Sequence, residues 1–213
     1  MIKVRAVFAK RGRAKYISHL DLNRCMQRVF KRSGIPIWYT EGFNPHIYIT
    51  FALPLSLGYE SGVEIMDFNI TEGIPFKDMK DKLNNAMPEG LTVSELYIPE
   101  TKHTDIRYAD FKIRINGDIT GVFNDFISQE QIITVKKTKR GEKEIDLKPD
   151  IGVLRCETEE GDTVLELRLP AGNEKNINPS LVTDLFLPDC AEGTRIMSVE
   201  RTAVLNGEKE KFR

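Results

Sequence analysis

The sequence predicts an α+β protein built from two successive halves with the element order βαββαβ and antiparallel sheets. Two observations support this prediction. Segments with alternating apolar and polar residues, typical of strands, are interspersed with segments whose apolar residues recur every three or four positions, typical of helices. The order of these segments in residues 1–100 is then repeated in residues 101–206.

The first half begins with a strand in which Ile2, Val4, Ala6 and Phe8 form one apolar face. A helix follows, with Gly34 as its stop signal. The other elements are bounded by turn-forming residues and are rich in apolar or β-branched residues. In chain order, the predicted elements are strand 2–9, helix 18–33, extended segments 36–40 and 47–53, strand 62–70, helix 76–87 and strand 91–98.

The second half repeats this order with an insertion, 138–162, in its middle. A basic run, 136–140, reaches into the insertion, and residues 207–213 are predicted to form a flexible tail. The order βαββαβ is that of ferredoxin-like domains, so we expect two tandem ferredoxin-like halves. The predicted elements are strand 109–115, helix 121–128, strands 131–137 and 163–169, helix 179–187 and strand 195–205.

Positively and negatively charged residues are unevenly distributed along the chain. The first 35 residues hold ten Lys and Arg against one acid, a charge of +9, although the whole chain carries −1. A basic segment in a near-neutral protein favours a polyanionic partner such as RNA. No stretch is long enough to cross a bilayer and no signal-peptide core follows Met1, so we expect a cytoplasmic protein without membrane contact.

The sequence predicts no metal and no cofactor. Its three cysteines are isolated from one another, and its three histidines form no ligand pair. The motifs of iron–sulfur clusters, of P-loops and of dinucleotide-binding loops are missing.

A basic loop between the first strand and the first helix is the first candidate site. Its glycine, Gly12, and its position before a helix N-terminus favour an anion such as a phosphate, although a solvated surface loop is the alternative. A basic stripe on the following helix extends the candidate surface. The cations predicted to hold phosphates are Lys10, Arg11, Arg13, Lys15, Arg24, Arg28 and Lys31.

The start of the first helix contains a histidine, His19, that could carry a proton beside the cationic loop. Its neighbours Ser18 and Asp21 have the spacing of a capping box, so we expect them to be structural.

Aromatic residues are interleaved with donors and acceptors in segment 38–48. We expect the exposed aromatics, Phe43 among them, to stack on unpaired bases and Asn44 or Glu41 to read base edges. The alternative is that Trp38, Phe43 and Tyr48 are core residues. His46, oriented by Glu41, is a second candidate acid or base.

Three motifs resemble those of an uncharacterised bacterial family of radical SAM-associated proteins, whose shared domain has no known function. They are Lys10-x-Gly12 leading into 16–22 (YISHLDL), then 41–46 (EGFNPH) and 53–61 (LPLSLGYES), with a weaker echo at 145–149 (IDLKP). The resemblance implies a radical SAM partner and, through frequent gene proximity to a ribonuclease and ribosomal proteins, an RNA context. A more distant similarity, which rests on the fold and on a basic helix after the first strand, is to the CRISPR repeat-RNA endonucleases.

We therefore expect an RNA-binding accessory protein that works with a radical SAM partner in the modification or processing of RNA. Two alternatives stay open. One is a metal-independent RNA-processing endonuclease with His19 or His46 as the acid or base. The other is a protein-docking adaptor whose basic surface meets an acidic partner without any nucleic acid.

Overall fold

The computed structural model describes residues 1–138 and 141–213, which divide into two compact units. Unit 1 comprises Met1–Asp105 together with Lys211–Arg213, and unit 2 comprises Ile106–Glu210. The predicted α+β class is confirmed, because the described residues form four α-helices and strands whose recorded pairings are all antiparallel. Each helix in the described residues is too short or too polar to cross a lipid bilayer.

Unit 1 has the element order that its sequence predicts. The elements are β1 (Ile2–Lys10), α1 (His19–Ser33), β2 (Ile49–Phe51), β3 (Glu60–Ile70), α2 (Phe76–Ala86) and β4 (Leu91–Tyr97). The strands lie in the spatial order β4-β1-β3-β2. β2 is only three residues long, shorter than the predicted segment 47–53.

The core of unit 1 forms where α1 and α2 cover the sheet. Residues of β1 such as Val4 and Phe8 and residues of α1 such as Met26 and Phe30 are all buried in one cluster, which accounts for the helical periodicity of α1. Gly34 ends α1 in the left-handed conformation, with φ of 65°, as predicted.

The other face of β1 differs from the prediction of a strand with one buried face. Arg5 is 0% exposed and Asp67, directly opposite on β3, is 1% exposed. The Nε of Arg5 donates to Oδ1 of Asp67 at 2.7 Å, and Nη2 of Arg5 donates to Oδ2 at 3.0 Å. Lys3 Nζ and His103 Nε2 each lie 2.9 Å from Asp67 Oδ2. A buried ion cluster therefore holds the two central strands together.

The last residues of the chain are packed into unit 1, in contrast to the predicted flexible tail. Phe212 is 2% exposed, and its ring centre lies 4.6 Å from the guanidinium carbon of Arg5. Arg213 donates through Nη2 to Glu95 at 2.9 Å. These contacts come from residues distant in the sequence, so the sequence pattern of the tail does not reveal them.

Unit 2 contains six strands and two α-helices among the described residues. The elements are β5 (Tyr108–Ile115), α3 (Thr120–Ser128), β6 (Ile133–Thr138), β7 (Gly141–Asp146), β8 (Gly152–Glu159), β9 (Asp162–Pro170), α4 (Pro179–Phe186) and β10 (Ile196–Leu205). Four strands lie in the spatial order β10-β5-β9-β8. Between α3 and β8 in the chain lies a separate two-stranded hairpin, in which β6 pairs with β7.

The second strand of the unit 2 sheet is not the one that the sequence predicts. Segment 131–137 is predicted as a sheet strand, but it supplies β6 of the hairpin, whereas β8 lies inside the predicted insertion 138–162 and pairs with β9. As the edge strand, β8 buries few side chains, and its sequence therefore has a weak apolar pattern. Two residues of the basic run, Lys139 and Arg140, lie outside the described residues.

Candidate nucleic-acid interface

The basic loop after β1 is held in place by a turn before β4. It forms a short 3-10 helix, Gly12–Tyr16, and the backbone N–H of Arg11 donates to the carbonyl of Gly90 at 2.8 Å. Gly90 has φ of +85°, and a Cβ there would lie 2.5 Å from the carbonyl oxygen of Arg11. Only glycine therefore permits this close approach.

The loop does not offer the amide cradle that its sequence suggests. The N–H of Gly12 donates to Oε1 of Glu60 at 3.1 Å, and Lys15 Nζ lies 3.5 Å from the same oxygen. The chain's own carboxylate therefore occupies the position predicted for a phosphate. Glu60 was not among the predicted site residues, because its place beside the loop follows from the pairing of β3 with β1.

Lys10 is not available to a ligand. It is 2% exposed, and its Nζ donates to the carbonyl of Ile17 at 2.9 Å. Its predicted role in phosphate binding is therefore wrong, and the residue instead ties the two ends of the loop together. Arg5 is buried in the same way, so the +9 of the first 35 residues overstates the charge that reaches the surface.

The N-terminus of α1 is closed by the predicted capping residues. The N–H of Asp21 donates to Oγ of Ser18 at 3.1 Å, and the Ser18 hydroxyl donates to Oδ2 of Asp21 at 2.7 Å. His19 is exposed, and its ring meets that of Phe51 edge-on with the centres 5.2 Å apart. Ser18 thus satisfies one first-turn N–H, and the Asp21 carboxylate already lies beside the helix terminus, which favours the cationic side chains as the groups that could hold an anion.

Most of the cationic side chains of the loop and of α1 are exposed. Arg24 is exposed and lies 3.4 Å from Asp21, a distance typical of a weak surface pair. Arg13, Arg28 and Lys31 are exposed and form no ion pair with any residue that the structure describes. We call these last three residues the free cations.

Segment 38–48 presents its aromatic residues to solvent in part. Phe43 is fully exposed and Tyr48 is also exposed, so the alternative of a core position is wrong for both. Trp38 is half-buried, and Asn44 is exposed.

The ring of His46 is held by its own loop. Its Nδ1 lies 3.0 Å from the Thr40 hydroxyl and 3.1 Å from the Asn44 carbonyl oxygen. Thr40, rather than the expected Glu41, therefore orients the imidazole. The ring of His19, in contrast, contacts that of Phe51. In the contacts that the structure describes, the two candidate catalytic histidines therefore share no partner residue.

Unit 1 has an excess of positive charge, and unit 2 has an excess of negative charge. Unit 1 contains 16 Lys and Arg against 12 Asp and Glu, and unit 2 contains 15 against 20. The excess positive charge of unit 1 therefore favours anions, and residues 11–31 supply several of its exposed cations.

Unit 2 has a cavity of about 230 Å³ whose lining includes Arg107 and Lys175. Both cations are matched by acids, since Arg107 Nη2 lies 2.8 Å from Glu174 and Lys175 Nζ lies 2.5 Å from Asp150. The cavity is therefore less suited to a polyanion than the surface of unit 1. Within the described residues, no three His, Cys, Asp or Glu side chains are grouped so that they could hold a metal ion.

The family described as "Uncharacterized protein conserved in bacteria" (DUF2344) matches residues 3–179. The chain belongs to this family. The match covers nearly all of unit 1 and most of unit 2. A search of curated proteins gives no match.

The motif echo at 145–149 is structural in this family member. Oδ1 of Asp146 accepts the N–H groups of Ile132 and Lys148, each at 2.9 Å. Leu147 is buried, and the ammonium group of Lys148 donates to the carbonyl of Ile127 near the end of α3. These contacts fix the base of the hairpin.

Proposed function

We propose that unit 1 binds RNA and that the protein serves as an accessory that presents RNA to a partner enzyme. The observation that carries the proposal is the set of free cations, Arg13, Arg28 and Lys31, exposed on a unit with an excess of positive charge. An exposed cation without a carboxylate partner keeps its full attraction for a phosphate. Arg11, Lys15 and Arg24 add to the surface, and Phe43 and Asn44 would border the bound strand.

We also propose that both units are ferredoxin-like. In each unit, leaving the hairpin of unit 2 aside, the chain order is βαββαβ. In each unit the fourth strand lies beside the first, the first beside the third and the third beside the second. This antiparallel arrangement with two helices is the one expected of a split-βαβ fold. The fold by itself carries no function.

A radical SAM protein is our proposal for the partner enzyme. It rests on the resemblance of the motifs in 10–22, 41–46 and 53–61. The first motif includes part of the basic loop, and the second lies in segment 38–48. In this arrangement unit 1 holds the RNA and the partner supplies the chemistry.

The dependence of RNA binding on salt tests the proposal. Each phosphate that a cation neutralises on a single strand adds about 0.7 to the slope of log affinity against log salt concentration. We expect Arg13→Gln to lower the slope by roughly this amount, as measured by fluorescence anisotropy with labelled RNA. Arg195→Gln, which changes an exposed arginine of unit 2, is the control and should leave the slope unchanged.

Two results would contradict RNA binding by unit 1. One is the absence of RNA binding at low salt while a partner enzyme still co-purifies, which would favour the docking adaptor. The other is an equal decrease of the salt slope in Arg13→Gln and Arg195→Gln, which would show that the RNA is attracted by the cations of both units alike and not by a surface of unit 1. Cleavage of the bound RNA that stops in His19→Ala or His46→Ala would assign the endonuclease activity instead.

A further inference from the structure

A patch of exposed apolar side chains lies among the cations of unit 1. Tyr16, at the end of the basic loop, is 67% exposed, and Leu57, in the loop between β2 and β3, is 63% exposed. The N–H of Gly58 donates to the carbonyl of Lys15 at 2.9 Å, which brings residues 57–58 alongside the end of the basic loop. Leu20, in the first turn of α1, is also exposed. We call Tyr16 and Leu57 the apolar patch.

Exposed apolar side chains that gather in one place on a protein surface indicate contact with a ligand or partner. Tyr16 is the only aromatic residue of the basic loop, and the ammonium of Lys15 lies 5.4 Å from its ring centre. Arg11 and Arg13 are exposed in the same loop. An aromatic ring interleaved with cations is the combination that binds single-stranded nucleic acid, because bases stack on the ring while the cations hold the adjoining phosphates.

We infer that the apolar patch is a stacking platform for unpaired bases, with Tyr16 as its central ring, and that the RNA bound by unit 1 is single-stranded. This inference rests on the proposed function and adds the class of RNA. A duplex keeps the faces of its bases inside its own stack and is recognised by shape and phosphate contacts. An exposed ring therefore gains contact with a base only when that base is unpaired.

The charge around the patch favours RNA over an apolar segment of a protein. A protein partner that fitted it would need acidic residues around an apolar centre, whereas every nucleotide supplies a flat apolar face and a phosphate together. The spacing of Arg11, Arg13, Lys15 and Tyr16 along one loop matches this pairing of charge and ring.

The experiment measures the binding of the full chain to two labelled probes, a short CA-repeat RNA that cannot pair with itself and the same strand annealed to its complement. We expect the single strand to bind about tenfold more tightly than the duplex, and Tyr16→Ala to weaken single-strand binding roughly 5- to 100-fold. Because stacking neutralises no phosphate, Tyr16→Ala should leave the salt slope unchanged. Tyr16→Phe should keep the affinity.

Tyr108→Ala is the matched control, since Lys209 Nζ lies 5.9 Å from the ring centre of Tyr108 in unit 2. It should leave binding unchanged, and thermal unfolding checks that both alanine variants are folded. Equal affinity for the two probes, together with unchanged binding by Tyr16→Ala, would overturn the stacking platform. A steep salt slope in the same experiment would still support RNA binding by unit 1. Failure of both probes to bind at low salt would overturn the proposed function itself.

Discussion

Replacing the three free cations with glutamine is expected to weaken the binding of single-stranded RNA about 100-fold at about 0.1 M salt. Each phosphate contact contributes a slope of about 0.7, which corresponds to about a fivefold gain in affinity at this concentration relative to 1 M, and three such contacts multiply. Arg13, Arg28 and Lys31 are exposed, so their substitution should leave the fold intact. Fluorescence anisotropy measures the affinity.

The control for this triple variant keeps the charge and changes the side chain. Arg13→Lys, Arg28→Lys and Lys31→Arg, combined in one protein, should bind within a few-fold of the original chain, because phosphate attraction depends mainly on charge. If the triple glutamine variant kept its affinity, the free cations would not face the RNA, and the surface assigned to unit 1 would be wrong.

Asp67→Ala is expected to have the largest effect on stability, a loss of about 3–5 kcal/mol in the free energy of unfolding. The substitution leaves the Arg5 guanidinium buried without its carboxylate, and the cost of an unpaired buried charge is large. Denaturant unfolding measures the change. Glu95→Ala is the control, since Glu95 pairs with Arg213 at a more exposed position and should cost at most about 1 kcal/mol.

The same carboxylate makes stability depend on pH. Burial alone would raise the pKa of Asp67, but hydrogen bonds from His103, Arg5 and Lys3 outweigh this effect and hold the pKa well below its usual range. Because the pKa is lower in the folded chain, the contribution is fully present above the unfolded value of about 4 and is lost as the pH falls further. Asp67→Asn should therefore show a flatter fall in stability below about pH 4. An equally steep fall in this variant would contradict the assignment.

The parts of the fold that the sequence predicts well are those with local signals. α1 has an apolar stripe, a capping box at Ser18 and Gly34 at its end, and each signal lies within or beside the helix. β8 has no such signal, because an edge strand needs few apolar residues, and the hairpin before it has the alternation of a sheet strand. The prediction for the second strand of the unit 2 sheet is therefore wrong, because β8 buries few side chains.

The candidate site was predictable in composition but not in accessibility. The exposure of Arg13, Arg28 and Phe43 agrees with the sequence prediction of a surface role. The burial of Lys10 and the use of Gly12 by Glu60 do not follow from the loop itself, because the carboxylate comes from a strand 48 residues further along the chain. The sequence presents Tyr16 only as part of a motif, and its exposure is known only from the structure.

The most direct test of the central claim is photo-crosslinking of the full chain to 4-thiouridine-labelled single-stranded RNA, with the attachment sites mapped by mass spectrometry. The account predicts crosslinks concentrated in residues 11–31, which carry the free cations and Tyr16, and in the loop around Phe43. Crosslinks confined to unit 2, or scattered evenly over both units, would contradict it.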